Sequence, residues 1–277
     1  MYFQCGRFRL SFTRPLVMGI LNLTPDSFFD GARYTTLDAA RARAQQMVEE
    51  GADLIDIGGE STRPGTTPVS AAEELKRVIP VVHALRQIGI PLSVDTYKPQ
   101  VMRAALDAGA DLINDVRGFR QPGALDAVRV SNCGVCVMHM LDTPQTMQRA
   151  PSYQDVVAEV AGFLRERVET LEASGIARAR IAIDPGFGFG KTVAHNFQLL
   201  AQLSNLALPR IPLLAGLSRK SMLGAVTSRA PDERLAASIA AAVCAAQRGA
   251  RIIRAHDVGS TVDALKVWDE VQKEERP

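Results

Sequence analysis

Eight short runs of β-branched and apolar residues recur along this 277-residue chain, each followed by a longer stretch with helical periodicity. They are VMGILN (17–22), DLIDIGG (53–59), PLSVDT (91–96), DLINDV (111–116), VCVMHM (135–140), RIAIDPG (180–186), PLLAGLS (212–218) and RIIRAHD (251–257). Such alternation is the signature of a parallel sheet, because each strand must be carried back to the same end by a crossover that a helix supplies. The helical stretches include residues 37–51 and one opened by Ser70-Ala-Ala-Glu73, the spacing of a capping box. Gly51, Gly89, Gly109 and Gly249 stand just before the next strand, where a left-handed residue turns the chain back. Eight such units predict a (β/α)8 TIM barrel, with residues 3–14 as an N-terminal β-hairpin closing its bottom. A doubly wound open sheet is the competing architecture. No linker, repeat or low-complexity tract interrupts the pattern, so residues 1–277 are expected to form one domain.

Composition narrows the class of function. A formal net charge of +2 with no block of like charges gives no basis for a nucleic-acid or membrane partner, so any anion site must be local. The N-terminal MYFQCGRFRLSF lacks the apolar run of a signal peptide. LAASIAAAVCAA (235–246) is too short to span a bilayer and suggests a closely packed helix. Cys133 and Cys136 have neither a second pair nor a suitably placed histidine, which favours buried thiols in a reducing cytosol over a redox or zinc site.

The segment DPGFGFGKT (184–192) ends like a nucleotide-binding P-loop. A P-loop needs a glycine five positions before Gly190, where this chain has Pro185, and the glycines also miss the dinucleotide spacing. What remains is a carboxylate, Asp184, at the end of an apolar strand and ahead of a glycine loop.

The other strands share that ending. Asn22, Glu60 to Arg63, Asp95 with Thr96, Asn114 with Asp115, His139, Ser218 to Lys220, and Arg254 to Asp257 all follow apolar stems. A cap or turn explains any one of them, but caps require no Arg or Lys beside strand-borne Asp and Asn. In a barrel these ends meet on one face. Asp95, Asn114 and Asp184 suit a flat, NH-rich heterocycle, since carboxylates accept paired hydrogen bonds and Asn both donates and accepts. Arg63, Lys220, Arg254 and His256 suit anions.

The ordered set MGILNLTPDSFFDG (18–31), IDIGGESTRPG (55–65), SVDTYKP (93–99), INDVRG (113–118), MHM (138–140), DPGFGFGK (184–191), GLSRKS (216–221) and RAHDV (254–258) resembles bacterial dihydropteroate synthase. The resemblance implies a TIM barrel, a homodimer in the cytoplasm, and condensation of 6-hydroxymethyl-7,8-dihydropterin diphosphate with 4-aminobenzoate, giving dihydropteroate and diphosphate in folate biosynthesis. It assigns Asp95, Asn114 and Asp184 to the pterin, with Lys220 reaching the ring and Met138 and Phe189 lining it. Asn22 would meet Mg2+ and diphosphate, and Arg254 with His256 would anchor the diphosphate. Phe28, Thr62, Arg63, Pro64 and Ser218 would form the aminobenzoate side, and Gly216 of the GLSRKS segment would also bind substrate. Asp95, Lys220, Arg254 and His256 are the residues expected to act in catalysis.

Where the family's first loop reads SFSDGG, this chain has Phe29 and Ala32. The added aromatic either reshapes the aminobenzoate pocket, and with it the response to sulfonamides that mimic aminobenzoate, or is a neutral loop substitution. Loops 23–36 and 60–70 are expected to close over the intermediate. The alternative activity is a pterin-binding methyltransferase barrel acting on a folate, which has little use for STRPG together with SRKS.

Overall fold

A computed structural model describes residues 1–23, 35–61, 67–142, 146–148 and 150–274. The chain opens with an antiparallel hairpin, β1 (Tyr2–Cys5) and β2 (Phe8–Ser11), and then alternates strand and helix. The strands are β3 (Leu16–Asn22), β4 (Leu54–Gly58), β5 (Leu92–Asp95), β6 (Leu112–Asp115), β7 (Gly134–Met138), β8 (Ile181–Asp184), β9 (Leu214–Gly216) and β10 (Ile252–Ala255). The helices are α1 (Thr35–Glu49), α2 (Ala71–Leu85), α3 (Pro99–Ala108), α4 (Ala124–Arg129), α5 (Val156–Ala173), α6 (Val193–Ala201), α7 (Ser221–Thr227), α8 (Leu235–Gln247) and α9 (Val258–Glu274). Strands β3 to β10 form one parallel sheet in the order β8-β7-β6-β5-β4-β3-β10-β9. Its outer strands meet through a parallel bridge between Ile183 and Leu213, with Ile183 N donating to Pro212 O at 3.0 Å. The sheet therefore closes on itself, and the open doubly wound alternative is excluded.

Side-chain alternation along each strand sorts the residues into two layers. Val17, Ile55, Val94, Ile113, Val135, Ile183 and Ile253 join the core shared with the helices. Their neighbours Leu16, Met18, Leu54, Leu112, Cys136, Ala182, Leu214 and Ile252 form a second cluster inside the barrel, and Phe3 and Cys5 of the hairpin belong to it. The hairpin thus plugs the bottom as expected. The Arg7 guanidinium holds it there by a two-pronged ion pair with Asp111, both contacts at 2.9 Å.

Local chemistry explains the helix ends. Ser70 Oγ caps α2 by accepting from Glu73 N at 3.2 Å, while the Glu73 carboxylate takes Arg77 at 3.0 Å. An (i, i+4) ion pair has replaced the return half of the predicted capping box. Helix α3 stops at Gly109, whose φ of 111° lets its N–H reach back to Leu106 O. Cys133 and Cys136 are buried and unbridged, and burial raises both thiol pKa values, so the thiolate that redox or zinc chemistry needs is disfavoured. Among the described residues no helix is long and apolar enough to cross a membrane, and no three His, Cys, Asp or Glu side chains gather as metal ligands.

Candidate active site

Above the apolar plug, the inward positions of the strands turn polar. Register sets them side by side: Asn22 lies opposite Gly58, Gly58 opposite Asp95, and Asp95 opposite Asn114. Farther round, Met138 pairs with Asp184 and Gly216 with Arg254. Gly58 carries no side chain where a Cβ would come within 3.5 Å of Asn22 Oδ1 and 4.0 Å of Asp95 Cβ. Asn22 and Asp95 therefore flank a gap.

One buried carboxylate organises this level. Asp56, at 0% exposure in the middle of β4, accepts from Ser93 Oγ at 2.5 Å, Asn114 Nδ2 at 3.2 Å and Arg254 Nε at 2.6 Å. The same guanidinium reaches Asp95 Oδ2 through Nη2 at 3.1 Å. Two buried acceptors are left over: Asp95 Oδ1 and Asn114 Oδ1 have no hydrogen-bond partner among the described residues. Asp56 takes one N–H of the Asn114 amide, which fixes the amide's orientation and leaves its oxygen as an acceptor. Burial pushes the Asp95 carboxyl up to about 7 against the pull of Arg254, with Asp56 adding to the rise. Asp184, 5% exposed, accepts from Gly186 N at 2.7 Å, and burial raises its pKa as well. Buried acceptors without donors are costly unless a ligand supplies them.

The same barrel end also carries apolar and cationic groups. Met138 and Phe189 pack in one cluster with Tyr97, Val116, Met140 and Met147. Lys220 Nζ sits 4.3 Å from the centre of the Phe189 ring, a cation–π contact that holds the ammonium over the pocket wall. Ser218 Oγ and His256 Nδ1 are 3.0 Å apart, and the His256 amide also donates to that hydroxyl at 3.2 Å. Arg219, between Ser218 and Lys220, holds a left-handed backbone at φ 59° and grips Asp257 with two contacts, Nε at 3.0 Å and Nη2 at 2.5 Å. This pairing fastens the loop after β9 to the loop after β10. The same barrel end thus carries buried acceptors, an aromatic ring under an ammonium, and a hydroxyl–imidazole pair.

The family model described as pterin binding enzyme matches residues 18–256. The chain belongs to the pterin-binding enzyme family. It is 51% identical over 259 residues to the dihydropteroate synthase of Escherichia coli strain K12, covering 93% of this chain and 92% of that one. The crystal structure of Burkholderia cenocepacia dihydropteroate synthase complexed with 7,8-dihydropteroate is similar at a TM-score of 0.92 and 59% identity, over 99% of this chain and 98% of that chain. Xanthomonas albilineans dihydropteroate synthase with 4-aminobenzoic acid is similar at a TM-score of 0.92 and 55% identity, over 98% of both. Within the pterin-binding enzymes, the relatives at this level of identity are dihydropteroate synthases, and the methyltransferase alternative is not favoured.

In this pterin-binding barrel, Asn22, Asp95, Asn114, Met138, Asp184, Phe189, Gly216, Ser218, Lys220, Arg254 and His256 all lie at the strand ends of one barrel face or in the loops that follow them. Phe28, Thr62, Arg63 and Pro64, with Phe29 and Ala32, lie outside the described residues. Two strand-end residues turn away from the mouth, because each is one position past an inward residue. Asp115 accepts from Arg117 N at 2.7 Å and Phe119 N at 2.8 Å, holding the turn after β6. His139 packs edge-on against Phe163 of α5, with ring centres 4.9 Å apart. The residue that sequence reading missed is Asp56, whose signal was available: a carboxylate inside LIDIG at the same parity as Leu54.

Proposed function

We propose that this chain condenses 6-hydroxymethyl-7,8-dihydropterin diphosphate with 4-aminobenzoate to give 7,8-dihydropteroate and diphosphate. The observation that carries this reading is the pair of donorless buried oxygens on Asp95 and Asn114, at the same barrel end where Met138 pairs with Asp184. These acceptors match the amino and ring N–H edge of a pterin in shape and polarity.

Catalysis follows as dissociative substitution. The bond between the pterin methylene and the diphosphate oxygen breaks with both electrons leaving on oxygen, and the ring is left as a delocalised cation. The ionised Asp95 carboxylate offsets that positive charge from inside the barrel, and Arg254 holds the carboxylate in place. His256 and Ser218 stand where hydrogen-bond donors can stabilise charge on the leaving group. The arylamine of aminobenzoate then forms the new carbon–nitrogen bond and releases a proton. That amine is already neutral near physiological pH, so no strong general base is required. Sulfonamides, as mimics of aminobenzoate, would compete on the side that carries Ser218.

Magnesium fits the donor chemistry of this site. Asn22 offers a neutral amide oxygen across the gap at Gly58, and Mg2+ is habitually held by few protein oxygens and completed by substrate phosphates. Bound there, it would neutralise charge on the diphosphate oxygens. A cytoplasmic homodimer of one-domain subunits is part of the same proposal. Exposed Val226, Leu235, Val267 and Val271 on the consecutive helices α7, α8 and α9 supply apolar surface for a second copy, which light scattering would detect.

The test is a titration with pterin diphosphate, with and without Mg2+, followed by labelled aminobenzoate. Label should become linked to pterin only when the diphosphate substrate is present. Incorporation of label without it, or binding of aminobenzoate with no product, overturns the reading.

A further inference from the structure

The loop Pro185 to Gly190 lies between β8 and α6, with Gly186, Gly188 and Gly190 all at positive φ (69°, 79° and 62°). Such a backbone joins neither helix nor sheet, and its polar groups are instead taken up largely by side chains. Lys191 Nζ, 3% exposed, donates to Gly186 O at 3.0 Å and Phe189 O at 3.0 Å, and contacts His139 Nδ1 at 2.9 Å. Burial lowers the Lys191 pKa to about 7, against the pull of Asp184, and the charged form has three N–H bonds for these three acceptors. Gln148 Nε2 donates to Gly188 O at 2.6 Å, Tyr153 OH to Gly190 O at 2.8 Å, and Gly188 N to Asn196 Oδ1 at 2.7 Å. There is no slack at the inner turn, because a methyl group on Gly186 would run into the His139 carbonyl oxygen.

We propose that Lys191 is a positioning residue of the reaction, a buried amine whose Nζ holds the glycine loop so that Phe189 and Asp184 face the pterin, without touching substrate itself. The inference rests on the pterin reading of the site. The loop carries the Phe189 ring that packs with Met138 under Lys220, and its Gly186 amide is the donor that orients Asp184. Lys191 thus acts on both faces of the pocket through the backbone. His139 completes the device. To accept from Lys191, its Nδ1 must be unprotonated, and burial together with the Lys191 charge keeps the ring neutral by driving its pKa down to about 2. This gives a use to the residue that turns away from the mouth, and to the lysine that makes the segment look like a P-loop.

Three variants test it. Lys191→Met keeps the length of the chain but removes every donor, Lys191→Gln keeps two donors, and Gln148→Ala removes an exposed partner of the same loop with little risk to folding. The first readout is amide hydrogen exchange of residues 186–190 without any substrate, which is independent of whether the functional reading holds. Exchange should rise at least tenfold there in Lys191→Met and remain unchanged in β3 to β6. The second readout is steady-state kinetics. KM for the pterin substrate should rise more than tenfold in Lys191→Met, less in Lys191→Gln and least in Gln148→Ala, with KM for aminobenzoate within about threefold of wild type. A folded Lys191→Met protein with unchanged loop exchange, or with equal rises in both KM values, overturns the proposal. Should that variant fail to fold, an unchanged loop exchange and pterin KM in Gln148→Ala overturn it instead. Absence of turnover in the wild type would strike the functional reading and leave the exchange result standing.

Discussion

Asp95 and Asn114 face each other across the parallel ladder of β5 and β6, and each keeps one buried oxygen without a hydrogen-bond donor among the described residues. Asp56 and Arg254 account for their other polar atoms, so the two free acceptors form a matched pair rather than scattered defects.

The first prediction concerns pH. Asp95 takes its charge only above about 7, and a ring with N–H donors binds the charged form better, so affinity for the pterin should climb as pH rises through that value and then level off. Stability responds in the opposite sense. The unfolded carboxyl releases its proton near about 4, so between there and the native value the folded state binds more protons and becomes less stable as pH rises. Asp95→Asn should remove both slopes, measured by calorimetric titration and by denaturation across pH 4.5 to about 8. A variant that retains the affinity limb would assign it to another group.

Asp184→Ala should weaken pterin binding strongly. The ring would lose a charged acceptor in a dry pocket, a loss of about 2–3 kcal/mol or roughly a hundredfold in affinity. The Gly186 amide would lose its partner as well. Binding within tenfold of wild type in a folded variant would remove Asp184 from the pocket.

Arg254→Ala should show two separable losses. Asp56 is fully buried and would be left without its cation, so unfolding in urea should report a cost of about 3–5 kcal/mol. Adding Asp56→Asn should recover part of that. In the folded fraction, affinity for the pterin diphosphate should fall more than affinity for free pterin, and equal losses would contradict a role for Arg254 on the diphosphate side.

Lys98 binds both Glu60 and Glu74, with Glu74 almost wholly buried, and Tyr97 OH donates to Glu60 at 3.3 Å. Lys98→Met should therefore cost about 3 kcal/mol, because it strands two carboxylates at the foot of the connection after β4. The double variant with Glu74→Gln should be more stable than Lys98→Met alone, a coupling that chemical denaturation of the four proteins of the cycle will reveal.

Much of this architecture was legible before any coordinates. Apolar runs of strand length separated by helical periodicity leave few arrangements, and the residues after each run pointed to the mouth. Legibility ended at parity. Asn114 and Asp115 are adjacent and both polar, and Met138 and His139 are adjacent at the end of the next strand, yet within each pair one side chain faces the barrel and the other the helices. Both faces of a parallel barrel strand are buried, so no polar alternation marks the inward side. Asp56 stands in the middle of LIDIG at the parity of Leu54, and that parity becomes a signal only once the inward face is known.

Sequence alone determined the number and order of the strands, the hairpin plug and the identity of the polar strand ends, because these depend on local propensity and on the spacing of residues along the chain. Only the closed sheet decided which of those polar groups meet. The Asp56 to Arg254 contact joins residues 198 positions apart, and Lys191 finds His139 across 52, distances that only a common barrel axis can bring within hydrogen-bond reach.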